Sequence, residues 1–180
     1  MRIVQIKDEY IEILRRAFPI VLDNKRFHRK HTRKYIGVVF SINSFQYYAP
    51  FSSPKPKDYN KDGSIKKSNL FSIRMLESGE NGEKILLGTI KLNNMIPIPS
   101  NYVEEYVIDD EKDENYKNIV KAEFKWISEH INKIIGTSRR LYEFKKYEAK
   151  NKNETNKKVY ESIIPFKEVE KFLINNRMIS

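Results

Sequence analysis

Polar and apolar positions alternate from Arg2 to Ile6, the mark of a short half-buried strand. From Asp8 the apolar spacing becomes helical. Tyr10, Ile11, Leu14 and Phe18 share one face, Asp8 stands where an N-cap belongs, and Pro19 ends the run. Tyr35–Ile42 is β-branched and aromatic, Asn43-Ser44 reads as a tight turn, and Phe45–Ala49 returns as the second strand of a hairpin. Leu70–Leu76 and Lys84–Ile90 are further strands around a glycine-containing turn at 77–83, and Met95–Pro99 is held extended by its prolines. About five strands on short connections predict a mostly antiparallel, curled sheet. The pattern then turns helical again. Tyr116, Val120, Phe124, Ile127, Ile131 and Ile134 recur every three to four residues and predict one long helix over 115–135, ended by Gly136. Trp126 lies off that stripe. Ser138 is read as the cap of a second helix reaching Lys150, and Pro165 as the start of a last one with Val169, Phe172 and Leu173 inward. Residues 56–69 and 151–158 are polar and without periodicity. The expectation is an α+β fold in one domain spanning 1–180, its helices packed against the curled sheet.

Charge narrows the partner. The chain carries a formal net charge of +10 and a pI near 9.5, which points to a polyanion. No run approaches the length of a membrane span, and the N-terminus has no signal-peptide pattern. The absence of cysteine excludes disulfides and thiolate metal sites and fits a cytoplasmic protein. The basic residues are unevenly placed. Six of the ten residues from Lys25 to Lys34 are permanently cationic and two more are histidines. Like charges this dense repel unless an anion neutralises them, so Lys25, Arg26, His28, Arg29, Lys30 and His31 are read as contacts to the phosphates of a polyanion. A solvated loop is the plainer alternative. Arg139, Arg140, Lys145 and Lys146 add cations to the surface of the second helix. Seven carboxylates fall between Glu104 and Glu114. They suit a helix N-terminus better than a metal ion, and no cofactor or metal is expected.

Candidate chemistry centres on the run from Tyr47 to Lys57. Pro50, Pro54 and Pro56 hold Ser52, Ser53 and Lys55 in a stiff, non-helical loop. Hairpin geometry brings that loop back beside Arg33 and Lys34, so two hydroxyls and several cations should converge as a phosphate-handling site requires. Lys57 would extend the basic surface, and Tyr47 and Phe51 would offer stacking faces for bases. There is no Gly-rich phosphate loop, no metal-binding His motif and no Gly-x-Ser-x-Gly elbow. Ser53 could be a nucleophile with Lys55 as base, or could orient a phosphate while the 2′-hydroxyl of RNA attacks. His28 and His31 suit either acid–base work or phosphate contact, while His130 reads as structural. A non-catalytic RNA- or DNA-binding module, or a structural protein of a nucleoprotein particle, shares the charge and the aromatic strands but has no need of Ser53.

Four segments, in order over residues 35–145, resemble the type III toxin–antitoxin endoribonucleases of the ToxN/AbiQ family. Tyr35-Ile36-Gly37-Val38-Val39 is similar to the family's Ile-Gly strand. Tyr47-Tyr48-Ala49-Pro50-Phe51-Ser52-Ser53-Pro54-Lys55 is similar to its tyrosine–x–Ala-Pro–x–Thr/Ser-Ser-Pro-Lys motif. Leu87-Gly88 through Asn93-Asn94-Met95-Ile96-Pro97-Ile98 resembles its Leu-Gly…Asn…Met-Ile-Pro stretch, and Tyr116 through Leu141 its long helix. The resemblance implies a barrel-like curled sheet, as in the MazF and Kid toxins, and metal-independent cleavage leaving 2′,3′-cyclic phosphate ends on mRNA or phage RNA. It implies inhibition by a repeated pseudoknot antitoxin RNA that the enzyme processes and binds in a closed ring assembly. The family's essential hydroxyl falls on Ser53, with Ser52 where a Thr often stands, and its motif lysine on Lys55. Its upstream basic residue falls on Arg33 or Lys34. A tyrosine used by some members has Phe27 or His28 in its region here.

Overall fold

The computed structural model describes residues 2–24, 31–148 and 157–178. Seven antiparallel strands form a curled sheet: β1 (Arg2–Ile6), β2 (Tyr35–Ile42), β3 (Phe45–Ser52), β4 (Ser72–Ser78), β5 (Lys84–Lys91), β6 (Ile96–Pro97) and β7 (Val103–Glu105). The order is β4-β5-β3-β2-β1-β7, with β6 also on β3. The helices are α1 (Asp8–Ala17), α2 (Glu114–Glu129), α3 (Ile131–Glu148), α4 (Lys157–Glu161) and α5 (Phe166–Asn175). This is the expected α+β class. Among the described residues no helix is long and apolar enough to cross a membrane.

β3 is the strand on which the sheet turns. Tyr47 and Tyr48 pair with Pro97 and Ile96, whereas Phe51 and Ser52 pair with Ile90 and Thr89 of β5. Pro50, expected to open the turn, lies inside β3. It sits between those two partners, where its missing N–H leaves no ladder bond unmade. The strand therefore runs three residues beyond Ala49, and Ser52 is a strand residue rather than a loop residue.

Aromatic side chains tie the helices to a core that is otherwise mostly aliphatic. Tyr47 is fully buried, stacks on Phe40 at 4.6 Å between ring centroids and donates to Glu170 at 2.8 Å. Tyr142 donates to the same carboxylate oxygen at 2.7 Å, and Lys167 holds the other at 2.8 Å. Those bonds fasten α3 and α5 to the sheet. Gly37 is glycine for a packing reason: a Cβ there would lie 2.2 Å from the Tyr48 ring.

The helical stretch departs from the sequence expectation. The chain breaks at His130, not at Gly136, giving two helices in place of the single one over 115–135. His130 caps α2, its N–H bonding to Trp126 and Ile127, and its ring stacks on Trp126 at 3.9 Å. That stack buries Trp126. Gly136 lies inside α3. Ser138 caps nothing: it is buried there and donates to the Ile134 carbonyl at 2.8 Å. Lys7 rather than Asp8 holds the cap position of α1, and Asp8 accepts from Asn24 at 3.2 Å. β4 begins at Ser72 rather than Leu70. The Asn69 side chain captures the N–H groups of Phe71 and Ser72 and bends the chain at Leu70 and Phe71, ahead of the strand. Residues 56–69 contain a 3-10 turn at Pro56–Asp58 and a bridge between Tyr59 and Ile65.

Candidate active site

The β2–β3 hairpin places the end of β3 against the start of β2. Tyr35 pairs with Pro50, and the Phe51 N–H donates to the Lys34 carbonyl at 3.2 Å. A cleft of about 260 Å³ opens there. His31, Thr32, Arg33 and Lys34 line one side, and Phe51, Ser52, Ser53, Pro54 and Lys55 another. Tyr116 and Glu123 of α2 close it. The expected juxtaposition of the serine motif with Arg33 and Lys34 is thus present in the fold.

Within the cleft Ser53 is exposed, while Ser52 is nearly buried and its Oγ makes no hydrogen bond among the described residues. The turn after Lys55 is pinned from behind. Asp58 Oδ2 accepts the Lys55 N–H at 3.1 Å, the Asp58 N–H returns to the Lys55 carbonyl at 2.8 Å, and Asp58 Oδ1 lies 3.3 Å from Arg74 of β4.

The cations are unusually confined. Lys34 is 3% exposed with its Nζ 3.9 Å over the Tyr106 ring, and burial pulls it down to about 8 against the opposing pull of Glu111. Lys91, at the end of β5, is also brought down to about 8, by burial and then by Lys57, Lys55 and Arg33. Arg33 is buried and donates from Nε to the Asp23 carbonyl at 3.1 Å. His31 stacks on Tyr116 at 3.8 Å and lies 3.5 Å from Asp113 and 4.0 Å from Glu111. The acidic run is shared among local tasks: Asp113 caps α2 through the Tyr116 N–H, Glu111 accepts from Tyr106, and Asp109 pairs with Lys121. Among the described residues no three His, Cys, Asp or Glu side chains converge as metal ligands would.

Other expectations need correction. Tyr47 cannot stack on a base from the surface, because it is fully buried and bonded to Glu170. Lys145 is not on the surface either. It is 6% exposed, donates to the Tyr160 carbonyl at 2.6 Å and lies over the Tyr160 ring. Arg139, Arg140 and Lys146 are exposed on α3 but do not line the cleft, and Lys57 stands exposed within the 3-10 turn. Lys25, Arg26, His28, Arg29 and Lys30, with Phe27, lie outside the described residues. Two residues of the site were missed. Lys91 closes a strand and carries no local signal. Glu123 does carry one: it stands between Val120 and Ile127 on the apolar stripe of α2, where a carboxylate is out of place.

Residues 2–173 match the family described as Toxin ToxN, type III toxin–antitoxin system. The endoribonuclease ToxN of Bacillus thuringiensis subsp. kurstaki is 31% identical over 139 residues, 76% of this chain and 64% of that protein. The endoribonuclease AbiQ of Lactococcus lactis subsp. lactis is 32% identical over 55% of this chain and 51% of its own length. The matched stretch therefore spans less than two thirds of either relative. A solved type III toxin–antitoxin structure, concerned with selective toxin inhibition by a non-coding RNA pseudoknot, superposes with a TM-score of 0.74 at 22% identity. It covers 98% of this chain and 97% of its own, so the fold is shared along the whole length.

Proposed function

Because this chain belongs to the ToxN family of type III toxin–antitoxin toxins, we propose that it is an endoribonuclease restrained by a repeated pseudoknot antitoxin RNA. The observation that carries this reading is the convergence of Ser52, Ser53 and Lys55 with Arg33 and Lys34 in one cleft. RNA brings its own nucleophile, so the protein has only to position the phosphodiester and stabilise the charge that grows on it. In-line attack by the 2′-hydroxyl forms the new O–P bond as the 5′-oxygen leaves, giving 2′,3′-cyclic phosphate and 5′-hydroxyl ends without a metal ion. Ser53, exposed at the cleft, donates to a phosphoryl oxygen. Lys55 and Arg33 supply positive charge, each such preorganised group contributing on the order of 10²–10³ in rate. Lys34, held near 8, is placed to exchange a proton close to neutral pH. The same basic surface would bind the antitoxin, which the enzyme cuts from its repeated precursor and joins in a ring of alternating protein and RNA. The enzyme would work in the cytoplasm, on mRNA or phage RNA.

The test is incubation of the purified protein with a long single-stranded RNA in EDTA, beside Ser53→Ala, with both ends of each product mapped. Cuts with cyclic-phosphate ends, lost in the variant, are expected. Tight RNA binding without cuts in either protein would overturn the enzyme reading in favour of a binding module.

A further inference from the structure

Glu123 is a carboxyl for which the reaction above has no use. It is 2% exposed, and its Oε1 makes no hydrogen bond among the described residues, yet it helps line the cleft with Ser52, Ser53 and Lys55. The sheet is shaped around it. A Cβ on Gly88 of β5 would lie 2.4 Å from this oxygen and 3.0 Å from the Ser52 carbonyl oxygen. Only a glycine leaves room for the carboxyl beside the backbone of the serine motif.

An ionised carboxylate without a partner is expensive in such a place, whereas a neutral carboxyl is less so and carries a donor. Burial alone pushes Glu123 up to about 8. The charged and titratable groups that share its cleft are His31, Arg33, Lys34 and Lys55, and the strands β4 and β5 against which α2 packs carry Arg74 and Lys91. A neutral Glu123 leaves their positive field intact for a phosphate, and a carboxylate would oppose it.

We propose that the neutral carboxyl of Glu123 donates a hydrogen bond to a phosphoryl oxygen of RNA bound in the cleft, as a substrate-contacting residue that holds the phosphate without adding negative charge. A phosphodiester, being all acceptor, is the ligand an otherwise unused buried donor fits. This inference rests on the ribonuclease reading.

The experiment measures kcat/KM for cleavage of a single-stranded RNA oligonucleotide from about pH 6.5 to 9, bracketing the ionisation of Glu123 at about 8. It compares the wild type with Glu123→Gln and Glu123→Ala, with Ser53→Ala as the inactive control. A glutamine amide keeps a donor and cannot ionise. Glu123→Gln is expected within about threefold of wild type near pH 7 and to fall less steeply above about pH 8, while Glu123→Ala loses about tenfold. A glutamine variant as inactive as Ser53→Ala, or one with the full alkaline fall of the wild type, overturns the proposal while the ribonuclease reading stands. Failure of the wild type to cut RNA overturns that reading and this proposal with it. Melting temperature gives a readout without RNA. A carboxyl whose ionisation is raised by folding loses stability as pH rises from about 4.5 to 8, so the wild type should fall relative to Glu123→Gln across that window. Parallel profiles overturn the neutral, buried carboxyl.

Discussion

Arg74 reaches from β4 to Asp58, its Nη2 3.3 Å from Oδ1, with both side chains almost wholly buried. The other oxygen of Asp58 accepts the backbone N–H of Lys55, so this ion pair is the peg that fixes the turn after the serine motif to the sheet. Removing the carboxylate leaves a buried guanidinium uncompensated. Asp58→Ala should therefore cost about 3–5 kcal/mol in denaturant unfolding. A loss within the scatter of surface substitutions would show that the turn is held some other way.

Ser53 and Ser52 should separate cleanly. Ser53 is exposed, so Ser53→Ala should abolish cleavage, by at least about 10²-fold, while leaving unfolding within about 0.5 kcal/mol of wild type. The Oγ of Ser52 is buried without a partner among the described residues, so Ser52→Ala should be neutral or slightly stabilising. Its cleavage defect should be the smaller of the two. Cleavage rates and melting curves of both variants at equal concentration decide it. A Ser53→Ala variant that still cuts RNA at wild-type rate would place the chemistry elsewhere.

Much of this site could be read from the chain because hairpins are local. The β-branched and aromatic run from Tyr35, the turn at Asn43-Ser44 and the return through Ala49 fix which strand ends meet, and so bring Arg33 and Lys34 to the serine motif. The two-helix break at His130 was not legible, since it depends on an indole and an imidazole stacking against each other rather than on a breaker residue. Gly136, the apparent breaker, is carried through α3 by the packing of Ile134 and Leu141. Tyr47 was misplaced for a related reason. An aromatic next to a functional motif looks like a stacking platform, and only the fold shows that α3 and α5 cover it.

Lys34 and Lys91, both near 8, make the cleft lose positive charge just above neutral pH. RNA affinity of the non-cleaving Ser53→Ala variant should weaken as pH rises from about 7 to 9, read by fluorescence anisotropy at constant salt. Stability moves the other way. The folded value lies below the ordinary lysine value of 10.5, so the unfolded chain holds more protons between about 8 and 10.5 and stability rises with pH there. Lys34→Met should flatten part of that rise and weaken RNA binding near pH 7. A variant with an unchanged stability slope would contradict the burial of this cation.

Tyr47→Phe tests whether that ring serves the core or the RNA. The change removes the bond to Glu170 but leaves Tyr142 and Lys167 on the same carboxylate. Stability should fall by about 1 kcal/mol with RNA affinity unaltered. A loss of affinity at unchanged stability would return Tyr47 to the binding surface.

Two glycine-to-alanine changes, chemically identical, should act in opposite directions. At Gly136 a Cβ meets nothing within 4 Å, and the residue lies inside α3. Gly136→Ala should therefore stabilise by about 0.5–1 kcal/mol, the usual gain of alanine over glycine in a helix interior, with cleavage unchanged. At Gly88 the new methyl would come 2.4 Å from Glu123 Oε1, 2.7 Å from Met75 Cε and 3.0 Å from the Ser52 carbonyl oxygen. The two side-chain ends can swing away, but the Ser52 carbonyl belongs to β3 and can move only with the serine motif. Gly88→Ala should therefore destabilise by about 1–3 kcal/mol and slow cleavage as well. If Gly88→Ala lowered stability but left kcat/KM intact, β3 would have absorbed the methyl without shifting Ser53. The close approach of Gly88 to Glu123 and to the Ser52 carbonyl would then matter to packing alone.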